Sequence, residues 1–207
     1  IFNISIMPWG FDEIFSYIQR GDVHPPLSYV INKFFFDIFS SYKAVLIFSI
    51  ILNVGALGYF YNFSEKKLND NYSKILLLIL VFLNGGLLLW TNSLRWYAYW
   101  VPLFIVLYTY LLKYQVLSKK NITVIALLLV LMTYVSYLTF LLLISLLMYF
   151  LVLRKNEINP KNIILFSLVY FSLSAYQIFV FVTLKLQGKS SQVSDLLNSA
   201  LNSTYGV

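Results

Sequence analysis

The chain has no cysteine and one histidine in 207 residues. The first absence excludes a disulfide framework, a thiolate zinc site and a thiol nucleophile. The second excludes a two-histidine metal motif and a histidine relay. Charge is also scarce, at 11% of residues against 60% hydrophobic. A soluble domain carries about 25% charged and about 45–50% apolar residues, so this composition excludes an ordinary soluble domain. Disorder is excluded too, because it requires low hydrophobicity and high net charge. Mean hydropathy is +0.78. The formal net charge of +7 would suggest nucleic acid on a soluble chain. On this one it reads as basic loops facing a cytoplasm, and nucleic acid is not an expected partner.

The few charges measure out the rest. Uncharged stretches of 21, 20, 17, 33 and 23 residues separate Lys43 from Glu65, Lys74 from Arg95, Arg95 from Lys113, Lys120 from Arg154 and Lys161 from Lys185. A helix needs roughly 20 apolar residues, about 17–25, to cross a hydrocarbon core. Four gaps fit one crossing each. The gap of 33 residues would make a helix of about 50 Å, too long for a single crossing. Its centre, Thr133-Tyr134-Val135-Ser136-Tyr137, is its most polar part. This predicts two short helices, about 122–136 and 138–153, joined by a tight hairpin.

Orientation supports the split. The loops Ser64–Lys74, Lys113–Asn121 and Arg154–Lys161 hold nine of the fifteen basic residues. Six crossings place all three loops on one side, which the positive-inside rule makes cytoplasmic. Residues 1–43, the Thr91–Trp96 turn, the Ser136 turn and the tail after Lys185 then face outward. The expected fold is an all-α, polytopic bundle of about six transmembrane helices, with interfacial helices in the outer N-terminal loop. Its divisions are an outer loop (1–43), the bundle (44–186), and an outer loop or the start of a further segment (187–207). Because the chain starts at Ile1 and its first polar loop has no preceding helix, we expect a fragment, with at least one earlier crossing. The stretch Leu27–Ser40 sets Phe34, Phe35, Phe36 and Ile38 against Lys33 and Asp37, a pattern suited to a helix lying in the interface.

Two outer features could carry chemistry. Asp12, Glu13, Asp22 and His24 fall within thirteen positions and include three of the eight acidic residues and the single histidine. Adjacent carboxylates on a helix point about 100° apart, so one can face a substrate and the other a metal or the scaffold. A carboxylate in a partly dry site serves as a general base toward a hydroxyl. His24 is chemically able to hold a divalent ion or a phosphate oxygen, and Pro25-Pro26 stiffen the chain after it. The plainer reading is an acidic pair capping a helix and a surface histidine. The second feature is Arg95, the one charge in 38 residues between Lys74 and Lys113. Its guanidinium suits phosphate; alternatively it snorkels between Trp96 and Tyr97. Six crossings put it in the same compartment as Asp12–His24. Trp9, Trp90, Trp96 and Trp100 also fall on or near that side, as sugar-stacking rings or an interfacial belt. Pro102 is read as a kink in the third crossing, and Asn84-Gly85-Gly86 as a close helix contact.

The run Asp22-Val23-His24-Pro25-Pro26-Leu27, after the acidic pair Asp12-Glu13, resembles the signature of protein O-mannosyltransferases and related bacterial membrane glycosyltransferases. Leu94-Arg95-Trp96-Tyr97-Ala98 is similar to the family's Arg-x-Tyr-Ala element, and the hairpin at Thr133-Tyr134 to its Thr-His-Tyr element. The likeness covers most of residues 9–155. It departs in having Ser28-Tyr29 where Tyr-Tyr is frequent, and Tyr134 where histidine is frequent. It implies a C-type glycosyltransferase fold and inverting transfer of a sugar from a polyprenyl phosphate to a glycan, lipid or protein acceptor, outside a bacterial inner membrane. Asp12 would be the general base, with Glu13 beside it. Arg95, His24 and Asp22 would bind substrate or phosphate. His24 and Glu13 would hold a divalent ion (Mg2+, Mn2+ or Zn2+) where one is used. The competing readings are an exopolysaccharide or O-antigen polymerase, a lipid-linked-sugar transporter or flippase, and a structural subunit. Ion-coupled transport predicts ionisable groups at mid-membrane, and none lies inside these gaps.

Overall fold

The computed structural model describes residues 8–20, 25–65, 96–114, 118–153 and 159–186, and all regular structure among them is helical. Two short helices, α1 (Phe11–Arg20) and α2 (Leu27–Phe39), precede five longer ones. These are α3 (Tyr42–Glu65), α4 (Tyr97–Lys113), α5 (Lys119–Val135), α6 (Thr139–Leu153) and α7 (Pro160–Val180), the last running on into a π-helical turn, Phe181–Leu186. Local signals set several ends. The Ser118 hydroxyl accepts from the Asn121 N–H (3.3 Å) at the start of α5. Asn159 accepts from the Lys161 N–H (3.0 Å) ahead of Pro160 in α7, where a missing N–H costs nothing. Ser40 ends α2 in the left-handed region, φ 47°, with its N–H on the Phe36 carbonyl. The long uncharged gap is divided where its polar centre predicts, since α5 stops at Val135 and α6 starts at Thr139.

Side-chain pairs give the helix directions. Phe48, Asn53 and Tyr59 of α3 meet Tyr99, Ala98 and Lys113 of α4, so these two helices run parallel. Thr133, Tyr134 and Tyr137 bond to Tyr170, Leu173 and Gln177, so α5 and α7 also run parallel. Between them α4 and α5 are antiparallel: Tyr110 bonds to Asn121 near one end, and Tyr99 packs with Val135 near the other. The starts of α3 and α4, the Ser136 turn and the end of α7 therefore share one end of the bundle. Glu65, Lys113, Lys119 and Asn159 mark the opposite end. α6 begins at the first end, where Thr139 accepts from the Trp100 indole N–H (2.9 Å), and its 15 residues span about 22 Å toward the second.

Two helical stretches, Tyr42–Ser64 and Lys161–Thr183, are long and apolar enough to cross a membrane; Tyr97–Lys113 and Thr139–Met148 are shorter apolar helices. On the two longest stretches, in α3 and α7, burial is inverted at several positions relative to a water-soluble bundle, with polar side chains inside and aliphatic ones outside. On α3 the buried positions include Ser49 and Asn53, while Ile47, Ile50, Ile51 and Val54 are exposed. On α7 Asn162, Ser174 and Gln177 are buried, while Ile164, Leu168, Phe171 and Phe179 are exposed. α2 repeats the inversion: Lys33 is buried and paired with Asp37, and Phe34, Ile38 and Phe39 face outward. Among the described residues the largest apolar core lies between α4, α5, α6 and α7, around Leu107, Ile125, Leu129, Met132, Leu143 and Tyr170.

Candidate functional site

Helix α1 forms because Phe11, Ile14, Phe15 and Ile18 recur at helical spacing, and Ile14 is its buried anchor. Asp12 and Glu13 occupy its first turn, where carboxylates are favoured by the exposed N–H groups. Both are exposed. The Gly10 N–H donates to Glu13 Oε2 (2.9 Å), the reciprocal half of a capping box. Glu13 is thus held as a helix cap, as the plainer sequence reading predicts, whereas the Asp12 carboxylate accepts no hydrogen bond among the described residues. The carboxylates differ in what holds them: one is fixed to the backbone and the other faces outward.

Helix α1 meets α2 where Lys33 Nζ stands 5.8 Å from the centre of the Phe11 ring. α2 in turn packs on the first turns of α3 and α4. Phe35 stacks on Phe48 at 3.9 Å between ring centres, and Phe36 lies against Tyr42 at 4.7 Å. The Tyr99 hydroxyl donates to Asn32 Oδ1 between two buried side chains. From α3, the Asn53 amide donates to the Ala98 carbonyl (2.9 Å) and to Ser49 of its own helix (2.8 Å), leaving Asn53 Oδ1 buried without a partner. Leu27, Ile31, Ala98, Tyr99 and Val135 close one apolar cluster there. Beside it an apolar cleft of about 390 Å³ runs between α2, α3, α4 and α5, lined by Ile31, Leu52, Ala56, Tyr99, Leu103 and Leu131 among others.

This junction joins three stretches that the sequence sets far apart: the residues after Pro25-Pro26, those after Arg95, and the end of α5. Asp22, His24 and Arg95 themselves lie outside the described residues, as do Trp90, the Asn84-Gly85-Gly86 stretch and the crossing expected between Lys74 and Arg95. Thr133 and Tyr134, by contrast, turn toward α7, bonding to the Tyr170 hydroxyl and the Leu173 carbonyl. Trp9 is exposed, and Pro102 is buried in an unbroken α4 beside the cleft. The residues that composition alone does not pick out are Asn32, Asn53 and Gln177. Their signal is present in retrospect: each is an amide inside an apolar helix, and Ser49 and Asn53 share a face at i, i+4 spacing.

Of the two residues the sequence offers to a metal, His24 lies outside the described residues. Among the described residues no three histidines or carboxylates gather, and Glu13 is engaged with Gly10. Comparison of the chain with family models, with curated proteins and with solved structures finds no match.

Proposed function

We propose that the chain is the membrane part of a glycosyltransferase that takes a sugar from a polyprenyl-phosphate carrier and passes it to an acceptor hydroxyl on the outer face of the bilayer. The observation that carries this reading is the convergence at one end of the bundle. The helix after the Asp22–Leu27 motif, the helix after Arg95 and the α5–α6 turn pack together through Leu27, Ala98, Tyr99 and Val135. α1, with Asp12 exposed, reaches the same end through Phe11 and Lys33. The described helices that flank these motifs in sequence thus pack at one end of the bundle.

The membrane setting is supported by the inverted burial. Aliphatic faces exposed on α3 and α7 would be costly in water, at about 25 cal/mol per Å², and cost nothing against lipid. Buried amides and hydroxyls act there as interhelical bonds. The parallel runs of α3 with α4 and of α5 with α7 suit six alternating crossings, with the Lys113, Lys119 and Lys161 end in the cytoplasm.

In the proposed reaction Asp12 removes the proton of the acceptor hydroxyl. The acceptor oxygen forms a bond to the anomeric carbon from the face opposite the phosphate, and the carbon–oxygen bond to the lipid phosphate breaks with its electron pair staying on phosphate. Configuration inverts. Arg95, His24 and Asp22 are assigned to the phosphate and the sugar, because a phosphate leaving group needs charge stabilisation more than a proton. Glu13 holds the start of α1 and so the direction of Asp12. The test is a transfer assay on the full-length protein with defined polyprenyl-phosphate sugars. Sugar-dependent release of polyprenyl phosphate supports the reading; no turnover with any such donor, in protein that is folded in lipid, removes it.

A further inference from the structure

We infer that the Lys113–Lys119–Lys161 end of the bundle is a docking surface for anionic phospholipid headgroups. The helix directions carry this. Tyr110 bonds to Asn121, so the last turn of α4 lies beside the first turn of α5. The pairs Thr133–Tyr170, Tyr134–Leu173 and Tyr137–Gln177 keep α5 and α7 parallel, which sets the starts of those two helices side by side. Lys113, Lys119, Lys120 and Lys161, distant in sequence, are thus gathered on one rim, and all four are exposed. None forms an ion pair among the described residues, whose single salt bridge, Lys33–Asp37, is at the opposite end. Asp12 and Glu13 are at that opposite end too.

The neighbours of these lysines select the partner. Leu112 precedes Lys113, and Ile163 and Ile164 follow Lys161, all as exposed large apolar side chains. Lys113 Nζ stands 5.3 and 6.0 Å from the ring centres of Tyr114 and Tyr59. A cationic rim directly above aliphatic side chains, with tyrosines at the boundary, matches a lipid molecule whose charged head and hydrocarbon tail are covalently joined. A nucleic acid or an acidic protein complements the charge and not the aliphatic step beneath it.

This rests on the membrane reading of the bundle, and the test separates the two. The full chain is reconstituted into nanodiscs of phosphatidylcholine with and without phosphatidylglycerol, and co-purifying lipid and thermal unfolding are measured. We expect enrichment of phosphatidylglycerol around the protein and a higher Tm in its presence. Lysine-to-glutamine changes at 113, 119, 120 and 161 should reduce that affinity by roughly five-fold per lysine at low salt, whereas Lys43→Gln, at the other end, should leave it unchanged. The pair Lys119→Gln with Lys120→Gln serves if the fourfold variant does not fold. Equal enrichment in the variants overturns the docking surface while leaving the membrane reading standing. A chain that does not enter the discs overturns both. An equal rise in Tm from an oligonucleotide or an acidic peptide in neutral discs overturns the choice of lipid.

Discussion

The hydroxyl of Tyr99 donates a hydrogen bond to the side chain of Asn32, 67 residues earlier in the chain, and both groups are buried. The bond ties the helix that follows the Asp22–Leu27 motif to the helix that follows Arg95. Tyr99→Phe leaves the Asn32 oxygen buried without this donor, which costs about 1–3 kcal/mol. Asn32→Leu removes the opposite partner. A double-mutant cycle should give a coupling of about 0.6–1.7 kcal/mol, as measured for polar pairs in membrane helices. Unfolding of the single and double variants in detergent or lipid is the check, and strict additivity would show that the bond contributes nothing.

Leu168 on α7 is 62% exposed in the middle of an apolar helix. If that face meets lipid, Leu168→Lys should reduce insertion by about 2.5–3.5 kcal/mol on a translocon scale. If it met water, the same change would be neutral or improve solubility. A glycosylation-based insertion assay on the α7 segment distinguishes the two.

The absence of cysteine makes the helix directions directly measurable. Single cysteines at Ser118 and Asn159 should react with a membrane-impermeant maleimide from the same side, and one at Trp9 from the other. Labelling of Trp9→Cys and Ser118→Cys from one side would contradict the alternating bundle.

Glu13 and Asp12 should part company in experiment. Glu13→Ala removes the acceptor for the Gly10 N–H and should weaken α1 by about 0.5–2 kcal/mol, with transfer falling in proportion to lost order. Glu13→Gln, which keeps an acceptor, should restore most of it. Hydrogen exchange in residues 11–16 reads the helix independently of turnover.

Much of the helix layout was legible from the charges. Charges flank long apolar helices rather than interrupt them: Lys43 and Glu65 bracket α3, and Lys120 and Arg154 bracket the α5–α6 pair whose polar centre becomes the Ser136 turn. What the charges do not encode is which face of each helix meets which neighbour. α3, α5 and α7 are apolar nearly all round, so periodicity carries little facing information. Asn32, Asn53 and Gln177 stand out as amides in apolar helices, but which partners they meet follows from three-dimensional pairing. The acidic pair at Asp12-Glu13 was visible as a pair, but its division of labour was not. That depends on one backbone N–H, at Gly10, which only the folded turn presents to Glu13.

Asp12 is the proposed base in sugar transfer. Its direct test is turnover of a polyprenyl-phosphate sugar by the full-length protein carrying Asp12→Asn, a change that keeps the side chain's size and its place in the first turn of α1. We expect a fall in kcat of about a hundred-fold or more, with KM for the lipid donor and thermal unfolding unchanged. A fully active Asp12→Asn protein would contradict it.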